Sequence, residues 1–479
     1  MKSDILLITA AFLAPMGAWA ANCDGTGNCY VRAGATGNGN GSSWTNACPG
    51  LAGTCAPSNM TRGVTYWIAA GSYGGADFSA ADSGTTVISI LGATALSHGP
   101  ASDWSPSYAG VAKFGAISFA SDYWTINGQS RGADWKSAYS IKFQSAGNNS
   151  QCIYLPGRTG ITLSYIECQG YSPVGPSIDD AGIYGSATNF YLGYSYIHDV
   201  GDTQFQQNTG QGNNMTYEYN WVSNDGMCGT CNHFEAYSIT ATNLIVRYNV
   251  FENIVSTGVI TDASGGGASV GNWEIYGNIF FWDPGLATKS GWPQLVDLDD
   301  GVVVLLGNNY SGHFYFYNNT IEGISPNVPA NNNCNLSAFG NPGGYSVSGV
   351  TFIVQNNLWV NNGANVYGGC QWNTPIGISG YNAYAGGNNG ALNADPGDSS
   401  NVQLSSTNLL VSASPTAIAD FKLSKDTTTG IALAAPWNFD GFNQLTRGAS
   451  GVWDRGAAQF FNSSGTTPQP PTGVTSAVH

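Results

Sequence analysis

The chain has 479 residues, with 29 acidic and 14 basic side chains and a formal charge of −15, a balance that repels phosphate backbones and sets nucleic acid aside as a partner. Only 9% of residues are charged, 12% are aromatic and 65 are Gly, which suits many turns around short strands rather than amphipathic helices. The length would allow three domains, but one is enough where a repeat buries its core along its whole length.

Residues 1–20 read as an export signal: Lys2, an apolar run from Ile5 to Leu13, and the small residues Ala18 and Ala20 around Trp19, with cleavage after Ala20. That run is too short, and too soon interrupted by Pro15, for a membrane span, and no later segment approaches spanning length. A secreted, periplasmic or cell-surface location follows. All ten cysteines lie beyond Ala20 and their number is even, so disulfides are expected, pairing sequence neighbours, with Cys334 and Cys370 closing one long coil. Cys228-Gly-Thr-Cys231 ahead of His233 has the look of a zinc site, but export makes it a disulfide.

Residues 21–115, with Cys29-Tyr-Val-Arg-Ala-Gly-Ala-Thr-Gly-Asn-Gly-Asn-Gly-Ser-Ser-Trp44 near their start, are expected to form the first irregular rungs and cap the open core. A repeat then sets in. Its seven segments are Ile161-Thr-Leu-Ser164-Tyr-Ile166, Leu192-Gly-Tyr-Ser195-Tyr-Ile197, Tyr217-Glu-Tyr-Asn220-Trp-Val222, Val246-Arg-Tyr-Asn249-Val-Phe251, Ile275-Tyr-Gly-Asn278-Ile-Phe280, Phe316-Tyr-Asn-Asn319-Thr-Ile321 and Val354-Gln-Asn-Asn357-Leu-Trp359. Aligned on Ser or Asn, their anchors lie 31, 25, 29, 29, 41 and 38 residues apart, a period that marks a solenoid. Positions three before and two after the anchor are apolar and share a face of an extended chain. The anchor amide suits a left-handed bend, and stacked amides can bond from rung to rung. The fold class is all-β, a single-stranded right-handed parallel β-helix with capped ends. It spans residues 116–461, with Asn438 to Arg447 and Trp453 to Ala458 closing the far end, and residues 462–479 are a disordered tail.

The Tyr-Val opening before a Gly/Asn-rich run and Ser-Trp, the Tyr-Asn-x-hydrophobic rungs, and the closing Asp-Gly, Arg and Asp-x-Gly-Ala elements resemble secreted bacterial right-handed β-helix proteins of the pectate-lyase-like superfamily. The resemblance covers roughly residues 30 to 460. It implies the fold and, in many such proteins, a polysaccharide lyase or glycoside hydrolase activity. No Asn-Thr-Asp, Gly-His-Gly or Arg-x-Pro-x-x-Arg signature assigns pectin chemistry.

Counting back sixteen residues from Ser195, Asn220, Asn249 and Asn278 gives Asp179, Gln204, His233 and Asp262, a polar column on four rungs that Gln206 and Glu235 join two residues on. Glu235 and Asp262 would then lie diagonally about 8 Å apart, inside the roughly 6.5 to 9.5 Å that inverting glycosidases leave for the attacking water. One would protonate the leaving oxygen and the other activate water. A lyase on the same face would use His233 or Tyr237 as base and Arg247, or a Ca²⁺ ion held by Asp179 and Asp262, to neutralise a uronate. The alternatives are a solvated outer face and a non-catalytic surface or adhesion protein. Trp282 and Trp292 are candidate sugar platforms, whereas Trp273 matches core positions. His198, Asp199 and Asp202 read as a solvated turn, and Asp297, Asp299 and Asp300 as a solvated acidic loop. No metal ligands are assigned, and Ca²⁺ is the one candidate cofactor. The reading is a monomer acting on an extracellular polysaccharide, neutral because cations are scarce, as an inverting glycoside hydrolase or, failing that, a lyase.

Overall fold

The computed structural model describes residues 23–171, 179–202, 205–206, 212–224, 235–254, 259–263, 270–282, 302–307, 310–323, 339–340, 350–360, 378–385, 399–405, 408–413, 415, 417–448 and 451–460, with the backbone alone at 205–206, 259–263, 304–307, 339–340 and 378–379. Among the described residues thirty strands join into one continuous parallel network, which resolves into three faces of a coil.

Sheet I is made of strands that run into the anchor, among them Ile161–Ser164, the end of Asp180–Gly193, Gly212–Glu218, Ala241–Arg247, Val270–Tyr276, Tyr310–Tyr317 and Val350–Gln355. Sheet II holds the short strands that leave it: Ile166–Gln169, Tyr196–His198, Trp221–Ser223, Val250–Glu252, Ile279–Phe281, Thr320–Glu322 and Leu358–Val360. Sheet III carries Ser150–Thr159, the start of Asp180–Gly193, Phe205–Gln206, Tyr237–Ser238, Val259–Ala263 and Val303–Gly307. The chain thus forms the parallel β-helix expected of it. Crossovers between parallel strands of this kind are right-handed in nearly all cases.

The anchors build the corner between sheets I and II. Ser195, Asn220, Asn249, Asn278, Asn319, Asn357 and Asn382 are fully buried. Each backbone N–H from Ser195 to Asn357 donates to the next anchor's side-chain oxygen at 2.9 to 3.0 Å. Each Asn amide donates back to a carbonyl of the previous rung, as Asn278 does to Val246 at 2.8 Å. Buried backbone groups that the bend takes out of the sheet are satisfied in this way.

Two details differ from the sequence reading. The left-handed residue is the one before the anchor, Tyr165, Tyr194, Tyr219, Tyr248, Gly277, Asn318 or Asn356, at φ of 52° to 65°. Its side chain points outward, so Tyr165, Tyr194, Tyr219 and Tyr248 stack at 4.8 to 5.0 Å outside the corner. The first repeat also slips by two residues: Leu163 pairs with Leu192 and Ile166 donates to Ser195 Oγ, so Ile166 rather than Ser164 occupies the anchor position.

Inside, Ile197, Val222, Phe251, Phe280 and Trp273 are fully buried, and Trp359 nearly so. Cys23 pairs with Cys29, Cys48 with Cys55 and Cys152 with Cys168, all close sequence neighbours, while Cys228, Cys231, Cys334 and Cys370 lie outside the described residues. The coil begins early, where Asn28–Val31 pairs with Thr65–Ile68. The C-terminal stretch runs along the flank of the coil: Phe421 meets Trp221 and Phe281, Phe442 stacks on Trp135, Trp437 stands against Tyr315 and Tyr317, and Arg455 donates to the carbonyl of Asn382. Residues 1–22, which include the expected export signal, and the stretch beyond Phe460 lie outside the described residues.

Candidate functional site

The strand register does not support the column counted back from the anchors. On sheet III, Ile183, Phe205, Tyr237 and Val259 are vertical neighbours, yet they precede their anchors by twelve, fifteen, twelve and nineteen residues. The connection between sheets III and I changes length from rung to rung. Asp179 consequently sits four positions before the Ile183 level, Glu235 two before Tyr237, and Asp262 three after Val259. Five residues of chain, about 3.3 Å each, separate the last two along the face, too far for the paired-carboxylate geometry of an inverting glycosidase.

The remaining candidates disperse as well. Gln204, His233, Trp292, Asp297, Asp299 and Asp300 lie outside the described residues, and Gln206 and Asp262 are described in backbone only. Glu235 is buried, at 5% exposure. Tyr237 is fully buried in the core against Tyr217 and Phe251, where burial raises its hydroxyl far above the ordinary value, which rules it out as a base. Trp282 is a core residue whose indole donates to the carbonyl of Ile254, not a sugar platform. Trp273 is core, as expected. Arg247 is on the outer face of sheet I, fully engaged by Glu218 at 2.5 Å and the Tyr276 hydroxyl at 2.9 Å. Burial works against its charge, but Tyr276 and Glu218 hold the guanidinium above its ordinary value. Among the described residues no group of three or more His, Cys, Asp or Glu is placed to hold a metal ion.

A different set converges on sheet II. Its three-residue strands turn the middle side chain inward, so the first and third point out. The third positions, in register, are Gln169, His198, Ser223, Glu252, Phe281, Glu322 and Val360. His198 is a buried strand residue, not part of a solvated turn. Its Nδ1 lies 2.8 Å from Asp199 Oδ2 and its Nε2 3.2 Å from Glu167 Oε1. Lys142 Nζ is 2.6 Å from both Glu167 and Gln169, and Asn224 donates to Asp199 at 2.9 Å. The imidazole stacks on Tyr196 at 4.0 Å, and Tyr196 approaches Ser223 at 3.3 Å. Two rungs along, Glu252 receives Lys136 at 2.7 Å and the Trp221 indole at 2.8 Å.

Burial opposes the charge on His198, but hydrogen bonds and attraction from Asp199 and Glu167 overcome it and raise its pKa above the ordinary value. Burial likewise opposes ionisation of Glu167 and Asp199. His198 and Lys142 outweigh it for Glu167, and His198 and Asn224 for Asp199, so both carboxyls sit below their ordinary values. The set is an imidazole clamped between two carboxylates that favour its protonated form, with side-chain exposures of 8%, 18% and 30% for His198, Glu167 and Asp199. It can donate a proton at the surface of the coil. In the sequence alone His198-Asp199 has the composition of a turn, and the signal that locates the cluster is the position three residues after each anchor.

No family model and no curated protein matches the sequence. Among solved structures the chain is similar to the pectate lyase Pel9A, at 12% identity and a TM-score of 0.46 over 92% of this chain and 100% of that one. It is also similar to a PL6 family alginate lyase, at 11% identity and 0.31 over 73% of this chain and 48% of that one. A third is the Dettilon tailspike protein, at 12% identity and 0.32 over 74% and 70%.

Proposed function

We propose that the protein is a secreted carbohydrate-active β-helix that hydrolyses an extracellular polysaccharide on the outer face of sheet II. The observation that carries this reading is the row His198, Ser223 and Glu252, in register on consecutive rungs. Two rungs amount to about 9.6 Å between backbones, at the outer limit of the roughly 6.5 to 9.5 Å at which an inverting glycosidase holds its two carboxyl groups. His198, whose protonated form Asp199 and Glu167 favour and which Asp199 orients, supplies the proton to the leaving oxygen. Glu252 activates water from the other side of the small Ser223. The lyase reading is weaker, because Tyr237 is in the core and Arg247 is committed to Glu218. A neutral glycan suits a chain of net charge −15. The leader-like first twenty residues and the disulfides support action outside the cell.

His198→Gln and Glu252→Gln, assayed singly against a panel of neutral and uronate glycans, test the proposal. Each is expected to lower turnover by at least about 100-fold while keeping the parent's β-rich circular dichroism spectrum, with new reducing ends and no unsaturated product. Unsaturated products would replace hydrolysis by elimination. Binding without turnover in the unaltered protein would leave an adhesion protein, and full activity in both variants would remove this row from the chemistry.

A further inference from the structure

Glu322 is the third residue of Thr320–Glu322 and points outward from sheet II between Phe281 and Val360. It is 5% exposed, and its Oε2 has no hydrogen-bond partner. Its neighbours on the sheet lie against the C-terminal stretch. Phe281 and Val360 belong to one apolar cluster with Leu409, Leu410, Phe421, Leu423 and Ala457. On Glu322's own strand, Thr320 Oγ1 accepts the Ala457 N–H at 2.8 Å. A Cβ on Gly456 would lie 2.7 Å from that hydroxyl and 2.9 Å from Leu358, so the backbone here rests directly on the sheet. A carboxyl under such a cover can stay uncharged, or it can ionise only if the cover opens to water.

We propose that Glu322 is a proton-operated latch, which holds the C-terminal stretch against sheet II while neutral and releases it on ionisation. Among the described residues, the charged groups of the neighbouring stretch are engaged elsewhere. Its sheet neighbours Phe281 and Val360 carry no charge. On the covering stretch, Asp454 is engaged by the N–H groups of Thr427 and Phe460, Arg455 by the carbonyls of Asn382, Ser400 and Thr429, and Asp420 by the N–H of Ala417. Burial moves the Glu322 carboxyl up from its ordinary 4.5 to about 7. The closed state therefore holds a proton that the open state gives up, and closure weakens as pH rises from 4.5 through about 7. The latch does not depend on the proposed hydrolysis, because it concerns how the flank is covered.

Hydrogen exchange of the full chain between pH 5 and 9, corrected for the intrinsic rate at each pH, reads the opening of residues 409–423 and 455–460 directly. Between pH 5 and 9 the opening constant is expected to rise by about 75-fold, part of the roughly 300-fold total set by the displacement from 4.5 to about 7, since at pH 5 the open-state carboxyl is already mostly ionised. Strands around Phe251 and Val222 should stay protected. Glu322→Gln and Glu322→Leu should both abolish the rise, and the apolar variant should keep the stretch closed throughout. An opening constant that is flat with pH in the parent, or an equal rise in both variants, would overturn the latch.

Discussion

Replacing Asn278 by Leu should remove four bonds from the middle of the amide corner, and their fates can be counted. Asn278 Oδ1 accepts from the backbone N–H and the side-chain amide of Asn249, each at 3.0 Å, and its Nδ2 donates to the Val246 carbonyl at 2.8 Å and to Asn319 Oδ1 at 3.1 Å. Residues 249, 278 and 319 are all fully buried, so water cannot take over. The Asn249 N–H and the Val246 carbonyl are left unpaired, each at about 1–3 kcal/mol, and the two neighbouring amides lose one bond apiece. The expected loss is about 4 kcal/mol, read as a shift in the urea midpoint at unchanged slope, with exchange protection failing first at the rungs of Asn249 and Asn319. Asn278→Ser should lose less, since Ser195 already fills this position, with its Oγ accepting from Ile166 and donating to the Gly193 carbonyl. A Leu variant within 1 kcal/mol of the parent, or a Ser variant worse than Leu, would refute the view that the amides satisfy the bend.

Two further outcomes follow from the charged groups. Arg247→Met should destabilise the coil by about 1–3 kcal/mol, because among the described residues it leaves Glu218, 7% exposed, with the Tyr191 hydroxyl as its side-chain partner; urea unfolding of Arg247→Met and of the double variant with Glu218→Gln checks it, the second change restoring part of the loss. The His198 cluster predicts a stability window: the raised imidazole contributes fully below its ordinary 6.5 and loses its contribution as pH rises through its folded value, whereas the lowered Glu167 and Asp199 lose theirs as pH falls through their folded values. His198→Gln should flatten the alkaline side of the parent's pH–stability curve relative to Glu322→Gln, which removes the separate Glu322 contribution.

The repeat was legible because its signal is local. Apolar positions three before and two after the anchor, with an amide between, report an alternating chain and a bend within six residues, and every such rung from Leu192 onward is where the pattern put it. The first repeat slipped by two residues because Ser164 imitates the anchor; two is the period of a strand, so the interior residues kept their face and only the pairing changed. The site was misplaced for a related reason. Counting back sixteen residues crosses a connection between sheets III and I whose length varies, whereas counting forward three crosses none. Trp282 and Tyr237 were misjudged because an aromatic ring fills a wide coil as readily as it meets a sugar, and composition cannot tell the two apart.

What the amino-acid order determined by itself is the coil: strand alternation and the buried amides are short-range chemistry, repeated until stacking becomes the only way to cover the apolar face. What only the tertiary structure decided is which outward residues share a level and which are covered. Vertical neighbours such as His198 and Glu252 are separated by 54 positions in the chain, and the length of every intervening loop enters their alignment. The cover over Glu322 comes from residues about a hundred positions later, whose path along the flank depends on shape complementarity with Phe281, Thr320 and Leu358 rather than on any local pattern.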